Sequence, residues 1–265
     1  MATDPFAQFK AAQREAWALF IPIAASTTPP AACLVEFAGI RSGQSVLDVA
    51  CGTGVVAVTA ARTGAKACGL DLSPALLDEA RRNAAMAGVE IEFTEGDVEA
   101  LPWPDAAFDA VLSQYGHMFA PRSELAIAEM LRVLKPGGRI AFSTWPPEML
   151  VGRIFALVSG YLPPPPGAAA PQEWGDPATI LQRLGSKVRN IEFCRDELRF
   201  PALSPQHFIA MMEQSAGPVA KLVSTLADDP VRLAQFRREF VELVEQFFVR
   251  NIVRQSYLMT RAVKA

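Results

Sequence analysis

Histidine and cysteine are scarce in this sequence, and their positions form no metal-binding or disulfide pattern. The two histidines, His117 and His207, lie far apart along the chain. The four cysteines are also widely separated: Cys33, Cys51, Cys68 and Cys194. Structural metal sites and disulfide frameworks use closely and regularly spaced ligands. We therefore expect no metal centre, no disulfide framework and a reducing, cytoplasmic location.

The sequence also lacks a charged block and a long apolar run. Its 25 basic and 28 acidic residues give a net charge of −3, without the basic face that nucleic-acid binding requires. Residues 1–17 are too polar for a secretory signal, and no apolar run is predicted to reach membrane-spanning length. We expect no nucleic-acid partner and no membrane span, and the oligomeric state stays open.

Short apolar runs alternate with helical patterns from residue 45 onward. Five runs predict strands, at 45–50, 65–72, 90–97, 108–114 and 135–145. Helices are predicted between them, at 54–64, 73–88 and 121–134. In the second of these helices, Ser73 is the expected N-cap and Pro74 the first helical residue. Strands that alternate with helices are typical of a parallel, doubly wound α/β sheet.

The regular alternation ends after Trp145. Segment 162–177 contains four consecutive prolines, and we expect it to bridge two elements stiffly rather than to bind a partner. Four later elements are predicted: a short helix at 177–184, a sixth strand at 187–200, a helical block at 204–250 and an antiparallel last strand at 253–264. The expected fold is a Rossmann-like, seven-stranded, mostly parallel sheet. Its expected parts are N-terminal helices 1–39, an α/β core 40–200, a helical insertion 201–252 and a final strand 253–265.

The loop after the first predicted strand places Gly52 and Gly54 where a helix begins, in the run "SVLDVACGTGV". Glycines there let the backbone approach a ligand closely, and a helix N-terminus favours a negative group. A dinucleotide fits this fragment if Ala57 stands for the third glycine and Asp71 for the acidic residue beyond it. A nucleoside that carries an amino-acid tail fits it equally well. This fragment alone leaves both ligands open.

Acidic residues at strand ends separate these two ligands. Asp48 lies inside the first strand, where a carboxylate suits an ammonium group better than a pyrophosphate. Asp97 ends the third strand, at the same edge of the sheet as Asp71. The run "LKPGGR" at 134–139 then introduces the fifth strand. Together they describe a ligand with an ammonium–carboxylate end, a ribose diol and an adenine amine, which is S-adenosylmethionine.

Four segments carry a resemblance to a known family. The runs "VLDVACGTG", "GLDLS", "GDVEALPWPDAAFDAV" and "LKPGGR" resemble the successive motifs of class I S-adenosylmethionine-dependent methyltransferases. They are most similar to the methyltransferases of ubiquinone and menaquinone biosynthesis. The resemblance covers about residues 40–145, and it implies a methyl transfer that leaves S-adenosylhomocysteine as product.

The resemblance implies a role at the cofactor for each matching residue. Gly52 and Gly54 would lie under the methionine moiety, and Asp71 would bind both ribose hydroxyls. Asp97 would receive the adenine amine. The other implied cofactor residues are Asp48 at the ammonium end, Ala50 and Cys51 in the same turn, Leu72 and Val98 at the adenine, and Gln114 at the methionine end, through its backbone.

The acceptor side has no strong catalytic motif. No Asn-Pro-Pro-Tyr motif follows the fourth strand, which argues against methylation of an amide or nucleobase nitrogen. His117 follows that strand closely, so it is either a general base or a polar rim residue. The candidate substrate residues are mostly aromatic or sulfur-containing, and they lie in the predicted lid and in the loops beside it: Trp17, Phe20, Tyr115, Met118, Phe119, Trp145, Trp174, His207, Phe208, Met211 and Met212.

These residue types predict an apolar, aromatic-lined pocket for a small-molecule substrate. The N-terminal and inserted helices are expected to form a lid over it. The predicted reaction is O- or C-methylation of a small apolar or aromatic acceptor. Two other functions stay open: a non-catalytic S-adenosylmethionine-binding module and an NAD-dependent oxidoreductase.

Overall fold

One mixed sheet organises the chain in the computed structural model, which describes residues 4–265. The strands, in chain order, are β1 Ser45–Val49, β2 Lys66–Asp71, β3 Glu92–Glu95, β4 Phe108–Gln114, β5 Leu134–Thr144, β6 Val188–Pro201, β7 Phe248–Val249 and β8 Ile252–Lys264. The order across the sheet is β3-β2-β1-β4-β5-β8-β6, and β7 pairs with β8. Strands β1 to β5 are parallel, whereas β8 runs antiparallel between β5 and β6. The Rossmann-like, doubly wound prediction is confirmed.

The predicted strand number was one too low, because β7 and β8 form a short hairpin. Arg250 and Asn251 connect them with φ angles of 51° and 61°. Two successive residues with positive φ are typical of the tight turn that suits the twist of a hairpin. An arginine rarely occupies such a turn position, so the sequence gives little indication of it.

Helices connect and cover the strands. They are α1 Ala7–Ala16, α2 Thr28–Ala38, α3 Val55–Arg62, α4 Pro74–Met86, α5 Ser123–Val133, α6 Leu150–Tyr161, α7 Pro177–Leu184, α8 Pro205–Ser215, α9 Gly217–Thr225 and α10 Pro230–Glu245. A 3-10 segment, Trp17–Thr27, joins α1 to α2. Ser204 and Asp229 are the N-caps of α8 and α10, and their side chains accept backbone hydrogen bonds there. Helix α6 was not predicted; its run follows closely on Pro146 and Pro147, and Gly152 and Gly160 interrupt its apolar pattern.

The N-terminal segment corrects one expectation. Residues 7–38 form consecutive helical elements that are long and apolar enough, by length and composition alone, to cross a membrane. The prediction that no apolar run reaches that length is therefore wrong. In this fold, Trp17, Phe20 and Ile23 of the segment line a cavity of the protein itself. A helix that packs on its own protein passes the same test of length and apolarity.

Two glycines of α6 give a matched test of how closely this helix packs. A Cβ atom at Gly152 would collide with the carbonyl oxygen of Pro146, whereas one at Gly160 meets nothing within 4 Å. We expect Gly152→Ala to lower the free energy of unfolding by about 1–3 kcal/mol through overpacking. Gly160→Ala should raise it by about 0.5–1 kcal/mol, because alanine loses less backbone entropy in a helix. Urea denaturation of both variants measures this, and equal effects would show that α6 packs loosely.

Candidate functional site

A cavity of about 260 Å³ lies beyond the carboxyl ends of the parallel strands. Ligands of open α/β sheets bind at this edge. Its polar half is formed by the loops after β1, β2 and β3, together with Lys10 of α1. Its apolar half is bounded by the 3-10 segment, β6, β8 and the α8–α9 corner. The order of the strands explains this division, since β1 to β3 occupy one side of the sheet and β5, β8 and β6 the other.

The loop after β1 has a tightly wound backbone. Ala50, Gly52 and Gly54 all have positive φ angles, of 52°, 53° and 78°. A Cβ atom at Gly52 would meet nothing within 4 Å, so this backbone borders open space in the cavity. A Cβ atom at Gly54 would lie 3.0 Å from both Ala80 and Phe93. Gly54 therefore allows close packing against α4 and β3 and does not line the cavity, which differs from its predicted place beneath a ligand.

Asp48 lies on β1 and is almost completely buried. Its Oδ2 atom accepts a hydrogen bond of 3.0 Å from the backbone N–H of Ala57, and its Oδ1 atom has no partner among residues 4–265. Burial raises the pKa of this carboxyl well above its usual range, and the nearby Asp71 adds to the rise. Asp48 thus fixes the start of α3 and leaves one acceptor atom at the cavity wall.

Asp71 ties the loop after β2 to the loop after β1. Its Oδ2 atom accepts from the backbone N–H of Gly52 at 2.8 Å, and its Oδ1 atom accepts from that of Ser73 at 2.9 Å. Burial raises the pKa of Asp71, while these two donors oppose the rise. Ser73 is the N-cap residue of α4 and Pro74 its first residue, as predicted, but the Ser73 hydroxyl has no hydrogen-bond partner among residues 4–265. The backbone N–H of Ser73 is used instead.

Asp97 forms an ion pair that the sequence did not reveal. Lys10 Nζ lies 2.7 Å from Asp97 Oδ2 and 2.8 Å from Asp4 Oδ2, and it also contacts Glu99. Arg122 adds a second cation, with its Nε atom 2.7 Å from Glu99 Oε2. Burial alone would lower the pKa of Lys10, but the three carboxylates outweigh it and raise that pKa.

This ion cluster anchors α1 to the loop after β3. The oxygens of Asp4, Asp97 and Glu99 lie within 4.8 Å of one another, a spacing that could hold a metal ion. Lys10 contacts all three carboxylates, so a side chain of the protein already neutralises part of their charge. A single lysine on an amphipathic helix gives no sequence signal for this role.

Gln114 connects the end of β4 to the N-terminal segment. Its Nε2 atom donates a hydrogen bond of 2.9 Å to the carbonyl of Thr27, and its Oε1 atom has no partner among residues 4–265. The side chain, and not only the backbone, therefore shapes the cavity here. The remaining predicted cofactor residues that line the cavity are Ala50, Cys51, Leu72 and Val98.

Aromatic rings dominate the apolar half. Tyr115 stacks on Trp145 with ring centroids 4.0 Å apart, and Trp17 meets Phe119 edge-on at 4.6 Å. These four residues and Phe20 line the cavity, as does Met212 of α8. Burial raises the pKa of the Tyr115 hydroxyl well above its usual range, so it stays protonated. The charged residues that line the cavity are Lys10, Asp48, Asp71 and Asp97, and all four belong to the polar half.

His117 and Trp174 do not reach the cavity, which corrects two predictions. His117 is fully buried between the rings of Phe142 and Trp174, with centroids 4.7 Å from each. Within residues 4–265 neither of its nitrogens has a hydrogen-bond partner, and burial lowers its pKa to about 3, with Arg183 adding to the effect. Trp174 is equally buried, and the guanidinium of Arg183 lies 4.6 Å from its ring. His117 therefore has the environment of a packing residue rather than of a general base.

Helix α8 turns a different face to the cavity from the one expected. His207 is exposed, and its Nδ1 atom accepts a hydrogen bond from the backbone N–H of Leu203. Met211 packs at the edge of the core, and Phe208 packs on Phe200 with ring centroids 5.4 Å apart. Met118 likewise lies in the core. Of the candidates on this helix, Met212 lines the cavity.

Several cavity residues were missed by the sequence analysis. Besides Lys10, they include Phe155 on the unpredicted helix α6, Leu198 and Phe200 on β6, and Gln255 on β8. Leu198 and Phe200 alternate with exposed residues along β6, and this period-2 pattern marks a strand with one buried face. That pattern was a usable signal for the buried face, although not for the cavity.

Comparisons with known proteins agree with this geometry. A family described as "Methyltransferase domain" matches residues 46–138. An uncharacterised protein of Mycobacterium tuberculosis is 35% identical over 257 residues, which cover 95% of this chain and 93% of that protein. A demethylmenaquinone methyltransferase of Thermus thermophilus is 41% identical over 115 residues, or 43% of this chain and 52% of that enzyme. The solved structure of a geranyl diphosphate methyltransferase in complex with SAM superposes with a TM-score of 0.55 at 18% identity, covering 90% of this chain and 85% of that one.

The burial of His117 predicts how stability depends on pH. Its pKa is about 3 in the folded protein, against about 6.5 in an unfolded chain. Between these values the unfolded chain binds one more proton, so stability falls as the pH falls. Between about pH 7.5 and about pH 5, the free energy of unfolding of the wild type should fall by about 2 kcal/mol more than that of His117→Leu. Urea denaturation at both pH values measures this. The control His207→Gln, at the exposed histidine, should behave like the wild type, and a His117→Leu variant with unchanged pH dependence would contradict the prediction.

Proposed function

Because this chain belongs to the class I S-adenosylmethionine-dependent methyltransferases, we propose that it methylates a small, uncharged apolar or aromatic acceptor at oxygen or carbon. The absence of charge in the apolar half of the cavity carries this proposal. Burying a charged group in such surroundings is costly unless it is paired. A macromolecular acceptor also fits poorly, because the N-terminal segment and the α8–α9 corner cover this edge.

The residues of the polar half fit S-adenosylmethionine. Two acceptor atoms without partners, Asp48 Oδ1 and Gln114 Oε1, belong to cavity-lining residues of neighbouring strands and suit the donors of an ammonium group. Asp71 uses one lone pair of each oxygen for the backbone, so each oxygen can still accept from a ribose hydroxyl. Bound there, the cofactor supplies an electrophilic methyl group on a sulfonium.

The adenine side of the polar half fits less simply. Leu72 and Val98 offer apolar contacts to a ring, and Asp97 is the acceptor proposed for the adenine amine. Its Oδ1 atom already accepts from the backbone N–H of Glu99, and its Oδ2 atom pairs with Lys10. An amine therefore shares Asp97 with Lys10 instead of meeting a free carboxylate.

The walls of the apolar half position the acceptor and exclude water. The nucleophilic atom of the acceptor forms a bond to the methyl carbon, and the electron pair of the C–S bond leaves with sulfur, giving S-adenosylhomocysteine. Alignment and removal of water supply most of the rate of such a displacement. The stacked Tyr115 and Trp145 form a flat wall on which an aromatic acceptor can lie.

The protein offers no general base in the apolar half. The residues of 4–265 that line this half include no carboxylate, lysine, histidine or cysteine, and the Tyr115 hydroxyl stays protonated. We therefore propose that the acceptor binds in its neutral form and ionises only beside the sulfonium, whose positive charge would stabilise the anion, with the proton passing to the solvent. The pH dependence of the reaction would then follow the pKa of the acceptor.

Two other functions were open from the sequence. The methyltransferase family match disfavours an NAD-dependent oxidoreductase, and a non-catalytic binding module predicts cofactor binding without turnover.

We propose a cytoplasmic location, where the four free thiols would stay reduced.

A labelling experiment tests the proposed function. The purified protein is incubated with a small-molecule extract and S-adenosylmethionine that carries a ¹³C methyl group, and the products are analysed by mass spectrometry. The label should enter a neutral, apolar compound. Binding of S-adenosylhomocysteine without any labelled product would support the non-catalytic module instead, and label in charged metabolites alone would contradict the proposed acceptor.

Replacement of Asp71 tests the polar half. Asp71→Ala should weaken S-adenosylhomocysteine binding by about 1.5–3 kcal/mol, because hydrogen bonds to a charged group are lost and the loop after β1 loses its tie to β2. Isothermal titration calorimetry measures the affinity. Asp78→Ala, at an exposed aspartate of α4, is the matched control and should leave the affinity unchanged. Equal affinities of the two variants would exclude Asp71 from the cofactor site.

Replacement of His117 tests whether a general base acts from behind the cavity. Once an acceptor is identified, His117→Leu should keep turnover within about fivefold of the wild type, because the imidazole lies in the aromatic core. Loss of a general base typically lowers the rate by about 10²-fold or more. A loss of that size, with S-adenosylhomocysteine binding intact, would return His117 to the mechanism.

A further inference from the structure

One amide faces the apolar half of the cavity from β8. Gln255 lies opposite Leu198 in the antiparallel pair of β6 and β8, and Val253 lies opposite Phe200. Residues that are directly opposite in such a pair place their side chains on the same face of the sheet. Leu198 and Phe200 line the cavity, so the side chain of Gln255 points toward it as well.

The amide of Gln255 has no hydrogen-bond partner among the described residues, 4–265. The residue is only 8% exposed, yet its side chain makes no hydrogen bond to any other group of residues 4–265. Several other polar side chains of the cavity wall already make hydrogen bonds, whereas the Tyr115 hydroxyl has no partner among residues 4–265. Gln13 donates to the carbonyl of Phe119 at 3.2 Å, and the hydroxyls of Ser26 and Thr27 donate to carbonyls at 2.7 and 2.6 Å. Because the amide faces the open cavity, its donors and its acceptor are available to a ligand.

The surroundings of Gln255 limit what it can recognise. Leu198, Phe200, Trp145 and Met212 line the same half of the cavity, and no cation lines this half within the described residues. An amide both donates and accepts hydrogen bonds, so it matches a neutral hydroxyl or carbonyl. A carboxylate would need a cation to compensate its burial.

We propose that Gln255 determines the acceptor class by binding one neutral hydroxyl or carbonyl oxygen of an otherwise apolar molecule. This inference rests on the proposed function, since it takes the apolar half as the acceptor site. Gln255 orients the acceptor through this oxygen and takes no part in bond formation. Phenols and enolisable ketones are the acceptor classes that carry such a group next to an atom that can be methylated.

The test compares two probes that differ in one hydroxyl. 2-Naphthol and naphthalene are titrated by calorimetry into protein saturated with S-adenosylhomocysteine, using the wild type and Gln255→Met. Methionine has a similar length but lacks the amide. The ratio of the two dissociation constants is compared between the two proteins, because the difference in hydrophobicity between the probes is the same in both and cancels. The substitution should weaken 2-naphthol binding by about 3- to 10-fold and change naphthalene binding by less than about twofold.

A neighbouring residue provides the matched control. Arg254 precedes Gln255 on β8, is exposed and pairs with Glu197 on the opposite face of the sheet. Arg254→Met should leave both dissociation constants unchanged. If Gln255→Met does not fold, Gln255→Ala provides the same measurement.

Three outcomes would overturn the inference. The first is a ratio of the two dissociation constants that Gln255→Met changes by less than about twofold. The second is tighter binding of 2-naphthoate than of 2-naphthol by the wild type. The third is that neither 2-naphthol nor naphthalene binds to the protein saturated with S-adenosylhomocysteine. Failure of S-adenosylhomocysteine to bind at all would refute the proposed function instead, so the two failures are distinguishable.

Discussion

The carboxylate of Asp71 holds together the two loops on which the cavity depends. By accepting from Gly52 and Ser73, it fixes the loop after β1 against the loop after β2. Asp48 fixes the other end of the β1 loop through Ala57. With both ends held, the backbone at Gly52 faces open space, and the polar half keeps its shape without side chains that fill it. Both carboxylates are buried, so their hydrogen bonds act at low local dielectric.

The N-terminal segment, residues 7–38, is the second element on which the cavity depends. Lys10 joins it to the loop after β3, and the bond from Gln114 to Thr27 joins it to the end of β4. Between these two attachments, Trp17 and Phe20 contribute apolar wall. The same stretch of chain therefore contributes a cation to the polar half and aromatic rings to the apolar half.

The sequence predicted the features that depend on local pattern. The strands β1 to β5, the glycine loop, Asp48 and Asp71 follow from short-range spacing, and the structure brings the predicted residues of these loops to one edge of the sheet. The features it missed depend on side-chain direction and long-range packing. The short turn after β4 directs His117 into the core and Phe119 to the cavity, although both lie within three residues. Likewise, one residue along α8 separates Met212 at the cavity from Met211 at the edge of the core, and Lys10 and Gln255 are recognised only through distant partners.

The charged residues of the cavity, among residues 4–265, lie only in its polar half, and this has a consequence for the type of reaction. An anionic acceptor and a sulfonium begin as opposite charges and end as neutral products, so charge disappears as the new bond forms. Surroundings of low dielectric favour such a disappearance, because they stabilise separated charges poorly. A neutral amine would only transfer the positive charge from sulfur to nitrogen, and the same walls would stabilise neither state. Under the proposed function, the uncharged walls around Tyr115 and Trp145 would therefore favour methylation of an anionic oxygen or carbon over methylation of a neutral amine.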